Sequence, residues 1–374
     1  MKSNKLNKNK KFKRILMLTG VYAVLSAIIS FFVIYYVNNL SIVNINNIIK
    51  KNTNNSIEQN NKSNISVNKS NNNSGNLTLD NTNLPQFSKL NISEIPINAI
   101  NLSFSYDGQF CVFLYNNDIY IKNINSNVLI KKISKSAPIT NFILMNDRNI
   151  IIFFTLKNNL LEVRTYDISN DNENLQKTIQ VPSNSKIKNI DYSALTNLIF
   201  FDLESGIGSS LKDTLYYLNI MKKLKTIQLQ TTINNMVLLN KTFNLYYENN
   251  QNILCSYPTP LKEIKGVNIK QIHLIGCDES DNLYIQSLED KHIIYILKNE
   301  NLYNVKNLND LNYIKFYVNK IGVYVVYKDY LINLVNDINK KFYFDRNLNF
   351  ISISGNKIYF KDQNYNIYCA NLDI

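Results

Sequence analysis

The sequence predicts an all-β domain in which about seven units of four antiparallel strands follow one another around a closed ring. Three observations carry this expectation. From Pro85 onward the chain is a succession of apolar segments of about 5–8 residues separated by Asn, Asp, Ser and Lys turns. The segments group in fours whose starts recur roughly every 35–50 residues, a period of ring-forming β repeats. Finally, the last group lacks its fourth strand, while a spare strand, Gln86–Ile92, stands ahead of the first. Pairing that spare strand beside Asn366–Ala370 completes the last unit and leaves no free radial edge.

The repeat is clearest at Phe104–Ile124. Tyr106-Asp107-Gly108 reads as a turn, because Gly takes positive φ without cost and Asp bonds its own backbone. Cys111–Leu114 is a continuous apolar strand, Asn116-Asn117-Asp118 turns the chain again, and Ile119–Ile121 begins the next strand. The chain has only Gly 9 and Pro 6, and Asn takes the place of Gly in most turns. That is physically reasonable, since Asn tolerates the left-handed region better than other side chains. Tyr 25 and Phe 18 without Trp favour β structure.

The units are expected in order. The first is Ile97–Ser105, Phe110–Tyr115, Asp118–Asn123 and Val128–Ile133; the second runs from Pro138 to Val181 and the third from Ile187 to Leu229. The fourth is Ile233–Leu239, Phe243–Glu248, Asn252–Tyr257 and Leu261–Val267. The fifth spans Lys270–Val305, the sixth Asn312–Phe344, and the seventh Leu348–Ala370. The turns of the fifth are closely spaced, so six units remain an alternative to seven. This arrangement is a β-propeller spanning 86–374.

Ahead of it, residues 1–14 form a basic tail holding Lys2, Lys5, Lys8, Lys10, Lys11, Lys13 and Arg14 without an acid. Ile15–Val37 carries no charge and, as a helix of roughly 34 Å, is long enough to cross a bilayer. The run is longer than a signal-peptide core and no small-residue cleavage site follows it, so an uncleaved anchor is expected over 15–37. The positive charges before it place the N-terminus in the cytoplasm and the large C-terminal part in the periplasm or elsewhere outside the cytoplasm. Residues 38–85 read as a disordered Asn-rich linker, polar and without apolar periodicity.

The net charge of +13 looks like a nucleic-acid signal until it is located. The tail carries most of it and the linker part of the rest, so the propeller is close to neutral. That argues against binding to a phosphate backbone. The four cysteines, Cys111, Cys255, Cys277 and Cys369, form no Cys-x-x-Cys pair. They read as buried free thiols, or as one disulfide between Cys111 and Cys369 across the ring closure. His273 and His292 lie in apolar runs without metal-type spacing and read as core or edge histidines. Asp278, Glu279 and Asp281 are too few oxygens for calcium and read as a solvated turn. Neither metal nor cofactor is expected. The insertion Glu204–Asp213 is the longest between second and third strands. Glu204, Ser205, Gly206, Ile207, Gly208 and Ser209 are its candidate binding loop. No helix follows that could take an anion, so it is not a phosphate loop.

The Ser105-Tyr106-Asp107-Gly108 turn, and third strands ending Tyr166-Asp167, Asn336-Asp337 and Leu372-Asp373, resemble the WD40 and TolB-like propeller repeats. The Trp-Asp dipeptide and the Gly-His start are absent. The resemblance covers 86–374 and implies a binding platform rather than a particular reaction. Anchor, stalk and propeller together also resemble viral and bacterial sialidases, whose arginine triad binds the substrate carboxylate. Outside the tail the chain holds only Arg148, Arg164 and Arg346, at positions that do not favour one cluster, and the Ser-x-Asp-x-Gly-x-x-Trp box is missing. Quinoprotein propellers stack their cofactor on Trp, which this chain lacks. The expected function is therefore a non-enzymatic, membrane-anchored scaffold that binds unidentified protein partners in an envelope or membrane complex. The alternative is a membrane-anchored glycan-binding protein or a sialidase-like glycoside hydrolase.

Overall fold

The computed structural model describes residues 85–374, apart from 93–94, 194, 220–222, 230, 320–321, 337 and 373–374. The expected tail, membrane helix and nearly all of the linker lie outside the described residues. Among the described residues, no helix is long and apolar enough to cross a membrane.

Seven antiparallel sheets follow one another along the chain. Taken from inner to outer strand, blade 1 is Ile100–Phe104, Phe110–Tyr115, Asp118–Asn123 and Leu129–Ile133. Blade 2 is Ile139–Leu144, Ile150–Lys157, Leu160–Asp167 and Asn172–Gln180, and blade 3 is Lys186–Ser193, Leu198–Ser205, Lys212–Asn219 and Leu224–Gln228. Blade 4 has three strands, Ile233–Leu238, Leu245–Asn249 and Leu254–Tyr257. Blade 5 is Ile272–Cys277, Leu283–Ser287, Ile293–Lys298 and Asn301–Asn307. Blade 6 is Lys315–Val318, Val323–Val326, Tyr330–Asn333 and Lys341–Tyr343. Blade 7 is Asn349–Ser354, Lys357–Lys361, Ile367–Asn371 and, as its outer strand, Ser88–Lys89.

The ring closes through that last strand. Ser88 pairs with Cys369 and Lys89 with Tyr368, and the Leu90 N–H donates to the Ile367 carbonyl at 2.8 Å. Inner strands of blades 1 to 6 stand side by side in turn, and that of blade 7 meets that of blade 1. The described core divides into seven apolar clusters, and each joins two neighbouring blades. The strand sequences follow from this packing. Second strands are covered by blades on both faces, so Ile150–Lys157 is almost continuously apolar and buried. Outer strands such as Asn172–Gln180 face water and are largely polar. Asn does take the turns that need positive φ: Asn116-Asn117 and Asn158-Asn159 both have φ between +50° and +64°, as a two-residue hairpin requires.

One expected strand is absent. Leu261–Val267 is irregular rather than the outer strand of blade 4. Pro258 and Pro260 precede it and have no N–H for a sheet ladder. The segment instead lays Ile264 and Val267 into the core shared by blades 4 and 5.

Candidate functional site

Antiparallel pairing sets what lies at each end of the ring. The start of every inner strand and the hairpin between second and third strands share one face, here the upper face. Turns joining first and second strands lie on the lower face.

The lower face is laced together. Asn146 Nδ2 of blade 2 donates to the Asn319 carbonyl of blade 6 at 2.6 Å. These blades are not neighbours, so this bond crosses the ring axis. Around the rim, Asn149 Nδ2 donates to Asp107 Oδ2 at 2.8 Å, Ser193 Oγ to the Asn240 carbonyl at 2.6 Å, and Asn319 Nδ2 to the Ile353 carbonyl at 3.3 Å. The Asp278–Asp281 turn belongs to this lacing and is not the solvated turn expected. Asp278 is 2% exposed and accepts the N–H groups of Ser280 and Asn282 and the Tyr284 hydroxyl. Asp281 accepts the N–H groups of Asn240 and Lys241 at 2.6 and 2.9 Å.

The upper face is different. The inner strands of blades 2, 3 and 4 each carry a β-bulge one residue after a buried Ile. The extra residues are Thr140, Lys188 and Asn234, and a bulge re-aims the side chain it inserts. In blade 5 the residue after the buried Ile272 is His273, which pairs in register with Gln286, the bulge of that strand falling at Ile275. Thr140, Lys188, Asn234 and His273 thus form a polar arc over four consecutive blades.

Buried carboxylates stand behind the arc. Asp202 pairs with Asn189, and Glu248 with Asn235, at equivalent positions in blades 3 and 4. Glu248 Oε2 meets His273 Nδ1 at 3.1 Å and accepts the Leu274 N–H at 2.8 Å, while Asn234 Nδ2 donates to Oε1 at 3.2 Å. The Glu248 side chain is 4% exposed and that of His273 41%, so a buried acid orients a half-exposed imidazole. Burial alone would raise the Glu248 pKa. The hydrogen bonds from His273, Leu274 and Asn234 outweigh it and hold the carboxyl below its ordinary value. Lys188 Nζ lies 3.7 Å from Glu204 Oε2 and 3.8 Å from Asp213 Oδ2.

Exposed apolar side chains share this face. Ile97 and Ile100 at the start of blade 1, Ile207 on the blade 3 hairpin and Ile314 before blade 6 are 69, 55, 74 and 64% exposed. These four branched side chains are spread over blades 1, 3 and 6.

The candidate loop lies on this face. Glu204 and Ser205 end the second strand, and Gly206 turns the chain at φ +108°. Ile207 is the outermost residue, and Gly208 and Ser209 lie in one 3-10 turn with Ser210. The Ser210 hydroxyl donates to the Ile207 carbonyl at 2.7 Å and accepts its N–H at 3.2 Å. The candidate loop is a hairpin braced by these two bonds. Glu204 is the member that reaches the arc, through Lys188.

Cys111 and Cys369 meet in the cluster between blades 1 and 7, as the ring closure requires, and both are free thiols there. Burial pushes the Cys111 thiol up to about 12. The three arginines are apart: Arg148 binds Asp147, Arg164 binds Glu162 and Glu173, and Arg346 binds Asp329. His292 is not in a strand; it sits before the third strand of blade 5 with Nδ1 at 2.6 Å from the Leu308 carbonyl. Among the described residues, no three His, Cys, Asp or Glu are grouped to hold a metal ion.

The sequence reading missed the arc. Its signal was present, as the repeated Ile-x-Asn of Ile139-Thr140-Asn141, Ile187-Lys188-Asn189 and Ile233-Asn234-Asn235.

No protein-family model and no curated protein matches the sequence. Among solved structures, a chain of the mitotic checkpoint complex is similar with a TM-score of 0.49 at 10% identity, over 83% of this chain and 99% of that one. Dipeptidyl peptidase 4 of Porphyromonas gingivalis matches with 0.46 at 12% identity, over 72% of this chain and 50% of that one. The AfRom2 CNH domain matches with 0.45 at 12% identity, over 76% and 95%.

Proposed function

We propose that this chain is a non-enzymatic protein-binding scaffold whose docking surface is the upper face, held at a membrane by residues 15–37 with the propeller outside the cytoplasm. The observation that carries the docking surface is the coincidence, on one face, of the polar arc Thr140–Lys188–Asn234–His273 with exposed Ile97, Ile100, Ile207 and Ile314. Exposed isoleucines on the face that carries a polar arc suit a protein partner, because the isoleucines supply desolvation energy and the arc supplies register. The ring holds these groups in fixed relation, so docking costs little ordering entropy. The membrane part rests on the uncharged run Ile15–Val37 and the positive cluster before it. An envelope or membrane complex is the setting this implies.

The test is site-specific photo-crosslinking in the native membrane. A crosslinking residue at Ile207 should trap one defined partner, and the same residue at Phe243, 59% exposed on the lower face, should not. Ile207→Asp together with Ile314→Asp should abolish the Ile207-dependent partnership without lowering Tm. Equal trapping from both faces, or glycan binding by the purified chain with no protein trapped, would overturn the proposal.

A further inference from the structure

We propose that Asp202 and Asp213 bind one proton between them, a buried proton-binding site that latches blade 3 to blade 4. Asp202 lies in the second strand of blade 3 and pairs with Leu215; Asp213 is two residues from Leu215 on the third strand, so both side chains emerge on one face of the sheet. Both residues are 0% exposed. Oδ1 of each carboxyl is buried without a hydrogen-bond partner. Two carboxylates are acceptors only, so a proton shared between them is what lets the pair hydrogen-bond to each other.

The remaining contacts agree. Asp202 Oδ2 accepts from Asn189 Nδ2 at 3.0 Å, and Asp213 Oδ2 accepts the Ile233 N–H. A bridging proton satisfies the pair, whereas two bare carboxylates would leave buried charge uncompensated.

The charged surroundings point the same way. The first strand of blade 3 contributes Lys188, 3.8 Å from Asp213 Oδ2, and the second contributes Glu204, 3.7 Å from that same ammonium. Blade 4 faces the pair with the Ile233 N–H. One cation therefore stands against three carboxyls. Burial first, and then the charge of Asp213, raise the Asp202 pKa to about 7; burial raises Asp213 as well.

The latch follows from Asp213 Oδ2, which holds the first residue of blade 4, next to Asn234 of the arc. Loss of the proton places two negative charges together at this junction. Asp202 is protonated when folded and ionised when unfolded between the ordinary aspartate value of 3.8 and about 7. Stability is thus highest toward the acidic end of that window and is lost as pH rises through about 7.

The experiment is infrared titration of the full-length chain with isotope-labelled aspartate. At about pH 6, where ordinary carboxyls are ionised, a protonated carboxylic C=O band is expected, fading as pH approaches about 9 and absent in Asp202→Asn. In parallel, urea unfolding from about pH 5.5 to 7 should show the wild-type folding constant falling by up to about tenfold per pH unit. Asp202→Asn, whose amide donates to Asp213 without a titratable proton, should lack that component. No carboxylic band at pH 6, or a wild-type slope in Asp202→Asn, would overturn the proposal. The wild-type infrared titration decides the matter even if the variant fails to fold.

Discussion

Phe87 tests ring closure most directly. It lies next to Ser88–Lys89, far in sequence from the blade it completes. Its ring makes edge contacts with Phe342 and Phe360, at centroid distances of 6.5 and 5.5 Å. Phe87→Ala removes a half-buried aromatic and these contacts. Loss of burial is worth about 2 kcal/mol, and the edge contacts add about 1 kcal/mol. The expected cost is about 3 kcal/mol, and in a domain of this size each kcal/mol moves Tm by about 2 °C, so Tm should fall by about 6 °C. Phe243→Ala is the control: the ring is 59% exposed in a lower-face turn, and its removal should cost less than about 0.5 kcal/mol. Differential scanning calorimetry on both variants makes the comparison. If Phe87→Ala melts with the wild type, or if the two variants lose equal stability, the N-terminal strand does not close the ring.

Other expectations concern the arc, the hairpin and the seam. Glu248→Ala leaves the buried Leu274 N–H without its acceptor and should cost about 2–3 kcal/mol in urea unfolding. The depressed pKa of Glu248 gives a stabilisation present above the ordinary glutamate value of 4.5 and lost as pH falls through the folded value, so Glu248→Gln should weaken the acid limb of the stability profile. At Gly206 a Cβ would stand 2.5 Å from the Ser210 carbonyl oxygen at φ +108°, so Gly206→Ala should lower Tm more than Gly208→Ala, where a Cβ meets open space. Native-state alkylation read by mass spectrometry should leave Cys111 unmodified until the domain unfolds, because burial both covers the thiol and disfavours its thiolate.

Much of the ring was legible because its signals are local. Asp107-Gly108 marks a turn by its own chemistry, and the structure keeps it: Asp107 accepts the Gln109 N–H at 3.0 Å and the Ser105 hydroxyl at 2.6 Å. The link that Asp107 also makes to Asn149 of blade 2 was not legible, since nothing local connects the two. Leu261–Val267 misled because spaced apolar residues between turns read as a strand, while the burial of Ile264 and Val267 against blade 5 is a tertiary fact. Asp281 looked solvated for the converse reason: its partners, the N–H groups of Asn240 and Lys241, come from another blade.

The sequence by itself determined most of the strands, their grouping in fours and the missing-plus-spare strand pair, because strand burial patterns and turn chemistry act over a few residues. It also located the positive charge outside the propeller. Only the tertiary structure decided which face is laced and which is open, because that depends on Asn146 meeting Asn319 across the axis. The polar arc and the Asp202–Asp213 pair belong to the same class. A bulge shows as an extra residue only against its partner strand, and a carboxyl becomes a proton trap only when folding buries it beside another.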